Sequence, residues 1–523
     1  MISNLLRKLS QLAHDPVLRR WVLGHAFGRI PGAPDFTPHV PPYLEDLLPL
    51  APERPTRTLG ALQAKQLTGP VMLNLAGLDV TVVADDLAAL FVRNFDDLET
   101  QLSLHRFAWV RDDSDPDQVD ALWRAWAEGF STPLAHWSWH PYTAGERAVN
   151  ILNYASQHGL PGDRDRTIAI LAAHAPAIAA RLEYFGDHHT SNHLANNGRA
   201  LYVLGRRLGM AKAESMGLKI LQEEADRLFS PSGMLREGSS HYHLLVLRLY
   251  EDLVHEAFAE TVTRARRVAS ALMLPGGLPL VGDISPDISP DDLLAVLDLQ
   301  GDGVLDGDGW LRADVGAWSG LWHASPEGFS HMPGHGHQDV GSFDLHYGDE
   351  AVIVDPGRGA YGEDGDAALY RSAVMHNGLM LGGKDPYPAN KPYYDDDFRE
   401  RVAGSAPSLQ KTTAGVRLNF DAVERDWDFD GDTLTLTDHV RGSGAMTITR
   451  TLITPLPVEQ KDGGVMIQGR NARYWVECGD GDIHVRLVTR WLAYGRGIPA
   501  TAITITRHGR VPFDGEITLS AMA

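Results

Sequence analysis

Cysteine is almost absent. Cys478 is the only one in 523 residues, so no disulfide can close within the chain. The fold must hold by packing alone, as suits a reducing compartment. Basic residues are also short. Lys and Arg number 47 against 68 Asp and Glu, and 47 − 68 = −21. That deficit leaves no large basic surface, so nucleic acid is not expected as a partner. No apolar run reaches the roughly 18 residues of a transmembrane helix. The opening MISNLLRKLSQLAHDPVLRRWVLGHAFGR has apolar residues at helical spacing with Arg and Lys among them, but neither an unbroken apolar core nor a small-residue cleavage site. An amphipathic helix is expected there. A cytoplasmic location is expected for the protein, with the periplasm as alternative. No fixed-period repeat appears, which disfavours a solenoid.

Hydrophobic residues make up 43% of the chain, ample for real cores, and the length calls for two or three domains. Residues 1–83 combine the amphipathic helix, a Pro-rich stretch expected to wrap the surface, and an alternating strand pair, VMLNLAGLDVTV. From 84 to about 310 the pattern is helical. Segments such as DQVDALWRAWAEGF, AGERAVNILNYASQHG, NHLANNGRALYVLGRRLG and HLLVLRLYEDLVHEAFAET repeat apolar residues every three or four positions. Seven or so antiparallel helices in series suit a bundle or an (α/α) toroid. The Asp-Gly run at 301–309 lacks the spacing of an EF-hand and reads as a solvated loop. From 311 to 523 the runs alternate with a period of two between Gly, Asp and Pro, the pattern of an antiparallel β-sandwich.

The densest chemistry lies at 331–378. His335 and His337 stand two apart in a Gly-rich turn. Phe343, Leu345 and Tyr347 then alternate with Ser342, Asp344 and His346 as a half-buried strand. Gly348-Asp349-Glu350 turns into the run AVIVD, giving a hairpin. His337, before the first strand, and Asp355, at the end of the second, share one end of it, and His376 can join from the next segment. Two imidazoles and one carboxylate make a reasonable zinc set.

A second polar concentration, FGDHHTSNHLANNGRAL, stands between two helical patterns. Helix capping explains one of its residues and leaves the rest. Asn192 and Asn196, four apart, can share a helix face. About fifty residues on, GMLREGSSHYHLLVL places Tyr242 just inside a helix start, after Arg236 and Glu237.

GHGHQDVGSFDL (334–345), VDPG (354–357) and RSAVMHN (371–377) resemble the C-terminal signature of the heparinase II/III-like polysaccharide lyases. The Asn-His element and the later Tyr resemble that family's helical domain, and HPYTAGERAVN, preceded by Trp137 and Trp139, looks similar too. The resemblance spans about 140 to 440 in three separated motifs. It implies a toroid followed by a β-sandwich. It implies a structural metal ion, usually zinc, on His337, Asp355 and His376. It implies that Asn192 binds the substrate carboxylate, with His193 or His189 as basic partner, that Tyr242 is the general acid and also a candidate base, and that His335 faces the substrate. Arg236, Glu237, Tyr370 and Arg371 are candidate substrate contacts, and the tryptophans either stack on sugars or pack in the core.

The expected activity is β-elimination on a uronic-acid-containing polysaccharide or oligosaccharide. Two rivals stay open. A metal-dependent glycan hydrolase would use the ion to activate water. A non-catalytic polysaccharide-binding protein would bind without turnover. A glycosidase would need two carboxylates across a cleft, and Glu237 has no evident partner.

Overall fold

A computed structural model describes residues 38–133, 136–186, 190–324, 334–386 and 406–522, with scattered positions before 38. Most of the expected N-terminal helix lies outside these residues, as does His189.

The Pro-rich segment runs over the helical body. His39 N–H bonds to the Tyr184 carbonyl, Thr56 and Arg57 N–H to that of Leu208, and Leu62 N–H to that of Leu160. The strand pair forms as expected, Val71–Leu75 antiparallel to Leu78–Val82. The helical series includes Leu98–Arg106, Pro116–Phe130, Pro141–His158, Arg164–Ala179, His193–Leu208, Ala211–Leu228, Ser240–Glu251 and Ala259–Leu272. Their apolar stripes bury a core of Leu104, Trp123, Trp126, Trp139, Leu171 and Leu204. One start is capped by a side chain that matters later: Ser239 Oγ accepts from Tyr242 N.

The C-terminal half is a two-layer β-structure. One sheet runs Asp306–Gly307, Trp310–Val315, Trp318–His323, Ser342–Tyr347 and Glu350–Ile353 in sequence order. The other has ten described strands, with the long Thr433–Thr454 and Arg496–Met522 at its centre. Trp318, Trp322, Phe343, Leu345, Trp427, Leu452 and Ile503 fill the space between them.

The hairpin at Gly348 forms, pairing Tyr347 with Glu350 and His346 with Ala351. Its first strand is not half-buried, as its alternation suggests, but buried on both faces. On the polar face His346 Nδ1 accepts from Gly276 N of the helical domain at 3.0 Å, while Asp344 takes the Asp355 N–H at 3.1 Å within the β domain. A second core joins the halves. Leu244, Leu247 and Leu272 from the helices pack with Ile284 from a connecting loop and with Trp310 and Leu321 from the sheet.

Candidate active site

Three backbone segments meet at that junction: the turn before the Tyr242 helix, the loop around Asp283, and the His335 turn. Glycines permit the approach. Gly282 has φ +77°, and a Cβ there would come within 2.5 Å of the Gly238 carbonyl and 2.7 Å of the His335 carbonyl. Backbone bonds stitch the three together, Asp283 N to His335 O at 3.0 Å and His335 N to Glu237 O at 3.2 Å. Ser239 caps the helix and donates to the Asp283 carbonyl at 2.7 Å, so one hydroxyl fixes both Tyr242 and the loop.

Asn192, Tyr242 and His335 come together. The Tyr242 and His335 rings stack with centroids 3.5 Å apart and planes 11° from parallel. Asn192 Nδ2 lies 3.4 Å from His335 Nε2 and donates to Glu237 Oε2 at 2.7 Å, while its backbone N–H bonds to Glu237 Oε1 at 2.7 Å. Glu237 is fully buried. It therefore stands behind Asn192 and fixes it, instead of reaching the substrate itself. His335 Nδ1 lies 3.2 Å from Asp283 Oδ2. That carboxylate also takes His337 Nε2 at 2.9 Å and the Arg358 guanidinium at 2.8 Å. Burial alone would raise Asp283, but the hydrogen bonds from His335 and His337 and the charge of Arg358 hold its carboxyl well below the usual range. With Nδ1 donating to Asp283, the His335 Nε2 is left as an acceptor toward Asn192.

The Tyr242 hydroxyl lies 2.6 Å from that of Tyr361, which donates to the Ile284 carbonyl at 3.0 Å. Since Tyr361 spends its proton on that carbonyl, Tyr242 is the donor between the two. Burial pushes Tyr242 well above its ordinary range, the Tyr361 hydrogen bond opposing. The phenol is protonated.

His193 follows Asn192 and packs on the Tyr142 ring at 4.4 Å. Its Nδ1 bonds to Glu183 Oε1 at 2.7 Å. Burial disfavours its charge, but the charge and hydrogen bond of Glu183 outweigh this and raise the imidazole. Asn196 is buried with its Nδ2 toward the Tyr142 carbonyl at 3.5 Å, so the two asparagines do not share an open face.

The remaining candidate contacts, Trp137 excepted, have partners or burial of their own. The Tyr370 hydroxyl accepts from Thr489 N at 2.8 Å inside the β domain. Arg371 lies 3.6 Å from Glu363. Arg236 Nε donates to the Arg227 carbonyl at 3.1 Å. Trp139 is a core residue, whereas Trp137 is 51% exposed.

At the hairpin end, His376 Nδ1 bonds to Asp355 Oδ2 at 2.8 Å, and the His337 and His376 rings are 5.2 Å apart. The three side chains that offer ligand atoms within 4.8 Å of one another are Asp339, Asp355 and His376, so Asp339, which spacing did not single out, stands in this group where His337 was expected. His337 Nδ1, His376 Nε2 and Asp339 Oδ1 are buried without a hydrogen-bond partner. Orphaned buried donors and acceptors of this kind fit a divalent metal. Burial holds the His337 ring below its ordinary range, in the neutral form a metal requires.

Sequence reasoning missed Asp283, Tyr361 and Asp339. Asp339 had a signal, lying two residues after His337. Asp283 and Tyr361 sit in loops with no periodicity to mark them.

The architecture is thus a helical toroid followed by a β-sandwich, with its polar site where the two meet. Residues 304–519 match the family model described as heparinase II/III-like, C-terminal. No curated protein sequence matches the chain. Among solved structures it is similar to a heparinase III, at 18% identity and TM-score 0.61 over 82% of this chain and 78% of that one. A second heparinase III matches at 15% identity and TM-score 0.56, over 84% and 83%. A mutant heparan sulfate lyase HepC from Pedobacter heparinus matches at 16% and 0.52, over 82% and 78%. At these identities the likeness is one of fold. Among the described residues, no helix is long and apolar enough to cross a membrane.

Proposed function

We propose that the protein is a lyase cleaving an acidic, uronate-containing glycan by β-elimination. The observation that carries this is the stack of Tyr242 on His335, with Asn192 at the imidazole edge. An acid, a base and a carboxylate ligand stand together, which is what the reaction needs and a binding module does not. That solved neighbours are named heparinase and heparan sulfate lyase supports the same class.

In this reading Asn192 and the His193 cation hydrogen-bond the uronate carboxylate and stabilise the charge that develops on it. His335 Nε2, its ring held by Asp283, takes the C5 proton. The C5–H pair forms the C4–C5 double bond as the C4–O bond breaks. Tyr242 gives its proton to the leaving oxygen; His335 then sheds the C5 proton to solvent and Tyr242 regains one from it. Each positioned proton transfer is worth about 10²–10⁴-fold. Tyr361 aims the Tyr242 hydroxyl. A divalent metal, zinc by donor type, would be held by His376, Asp355, Asp339 and His337. It would supply rigidity to the turn bearing His335. All four side chains are at most 2% exposed, which suits a holding role and not water activation.

The test is ultraviolet absorbance of the conjugated unsaturated product during incubation with heparan sulfate, chondroitin, hyaluronan and alginate. A rise with the wild type that Tyr242→Phe loses is expected. New reducing ends without absorbance would overturn the lyase reading in favour of hydrolysis. Binding without new ends would favour a binding protein.

A further inference from the structure

A row of groups leads away from this centre. Next to His193, the carboxylate of Glu183 also lies 3.6 Å from His140 Nε2. Glu183 is 5% exposed and its second oxygen accepts from Asn197 Nδ2 at 3.0 Å. The two imidazoles it holds are open, 37% exposed at His140 and 41% at His193. The Trp137 ring lies 6.1 Å from that of His140. Among the described tryptophans, Trp137 is the one with a largely exposed side chain.

The platform is rigid. Trp139 Nε1 is tied to the Phe130 carbonyl at 2.7 Å, and Arg147 donates to the Ser138 carbonyl at 2.6 Å. His136 Nδ1 accepts from Ser138 N at 3.1 Å. The turn therefore holds the Trp137 indole at a fixed place on the surface. The helix Pro141–His158 starts here with no side-chain cap and no acid in its first turn.

We infer that Trp137 and His140 form an outer subsite beside His193 for a second sugar ring of the glycan, one carrying its own carboxylate or sulfate. The indole stacks on the ring's apolar face, and the imidazole and helix end take the anion. This rests on the lyase reading and extends it: the protein would recognise a run of acidic sugars, not one uronate.

The experiment is calorimetric binding in a Tyr242→Phe background, which prevents turnover. The probes are tetrasaccharides of hyaluronan and alginate, which carry carboxylates alone, and of heparan sulfate, which adds sulfate. Adding Trp137→Ala or His140→Gln should weaken binding about three- to tenfold each, with unchanged melting temperature. A larger His140→Gln effect on the sulfated probe would assign sulfate; an equal effect would assign carboxylate. If the parent binds and both variants bind equally well, the subsite is wrong and the lyase reading stands. If the parent binds no probe, both fall.

Discussion

Replacing Asp283 by Asn changes one atom and should silence the site. The carboxylate is 4% exposed as a residue and takes three donors. His337 and Arg358 both address Oδ1, and His335 addresses Oδ2. Asn can keep an oxygen toward the first two. Its amide then faces His335 Nδ1, and two donors cannot share that contact. The imidazole proton must move to Nε2, so the acceptor facing Asn192 becomes a donor and cannot take a proton from substrate. Arg358, itself 4% exposed, loses its charge partner. Hydrogen bonds to charged groups are worth about 1.5–3 kcal/mol, and a buried cation robbed of its partner about 3–5, so a stability loss of about 3 kcal/mol is expected with one acceptor retained. Turnover should fall about 10²-fold or more. Turnover by absorbance, melting temperature and the His335 tautomer by nitrogen NMR check this. A folded variant within about threefold of wild-type kcat, or one with the proton still on Nδ1, would refute the reasoning.

Tyr361→Phe should cost about 1 kcal/mol for the lost hydrogen bond and about tenfold in kcat, with KM little changed; unchanged kcat would remove Tyr361 from the mechanism. A strong chelator should lower the melting temperature and zinc should restore it, with no chelator effect in His376→Ala; a wild type that carries no metal by native mass spectrometry and ignores chelator would contradict the metal site. His193 is raised in the folded protein above its ordinary value of about 6.5. Its contribution is therefore full below about pH 6.5 and lost as pH rises through the folded value. His193→Gln should flatten that decline in pH-dependent melting, and an unchanged profile would exclude the His193–Glu183 pair as its source.

The fold was legible where periodicity is strong. Helical stripes and alternating runs mark the two halves, and the hairpin at Gly348 follows from its turn. Burial of the second strand face was not legible, because Ser342, Asp344 and His346 look solvated until Asn377, Asp355 and Gly276, each from another segment, bond to them. The site was legible as residue types, Asn192, Tyr242 and His335, whose motifs are dense. What orients them was not. Glu237 reads as a ligand in sequence but turns its carboxylate onto Asn192. Asp283 lies 52 residues from His335, in a loop whose meaning appears only when Gly282 lets the segments touch. Tyr361 is 119 residues from Tyr242, and no local pattern links them.

The central claim is that the bond breaks by elimination and not by water. Digestion in heavy-oxygen water with mass analysis of the products tests this most directly. Unsaturated products with no heavy oxygen at the cleaved linkage are expected, and no products at all from Tyr242→Phe. Saturated products with heavy oxygen incorporated at the cleaved linkage would contradict it.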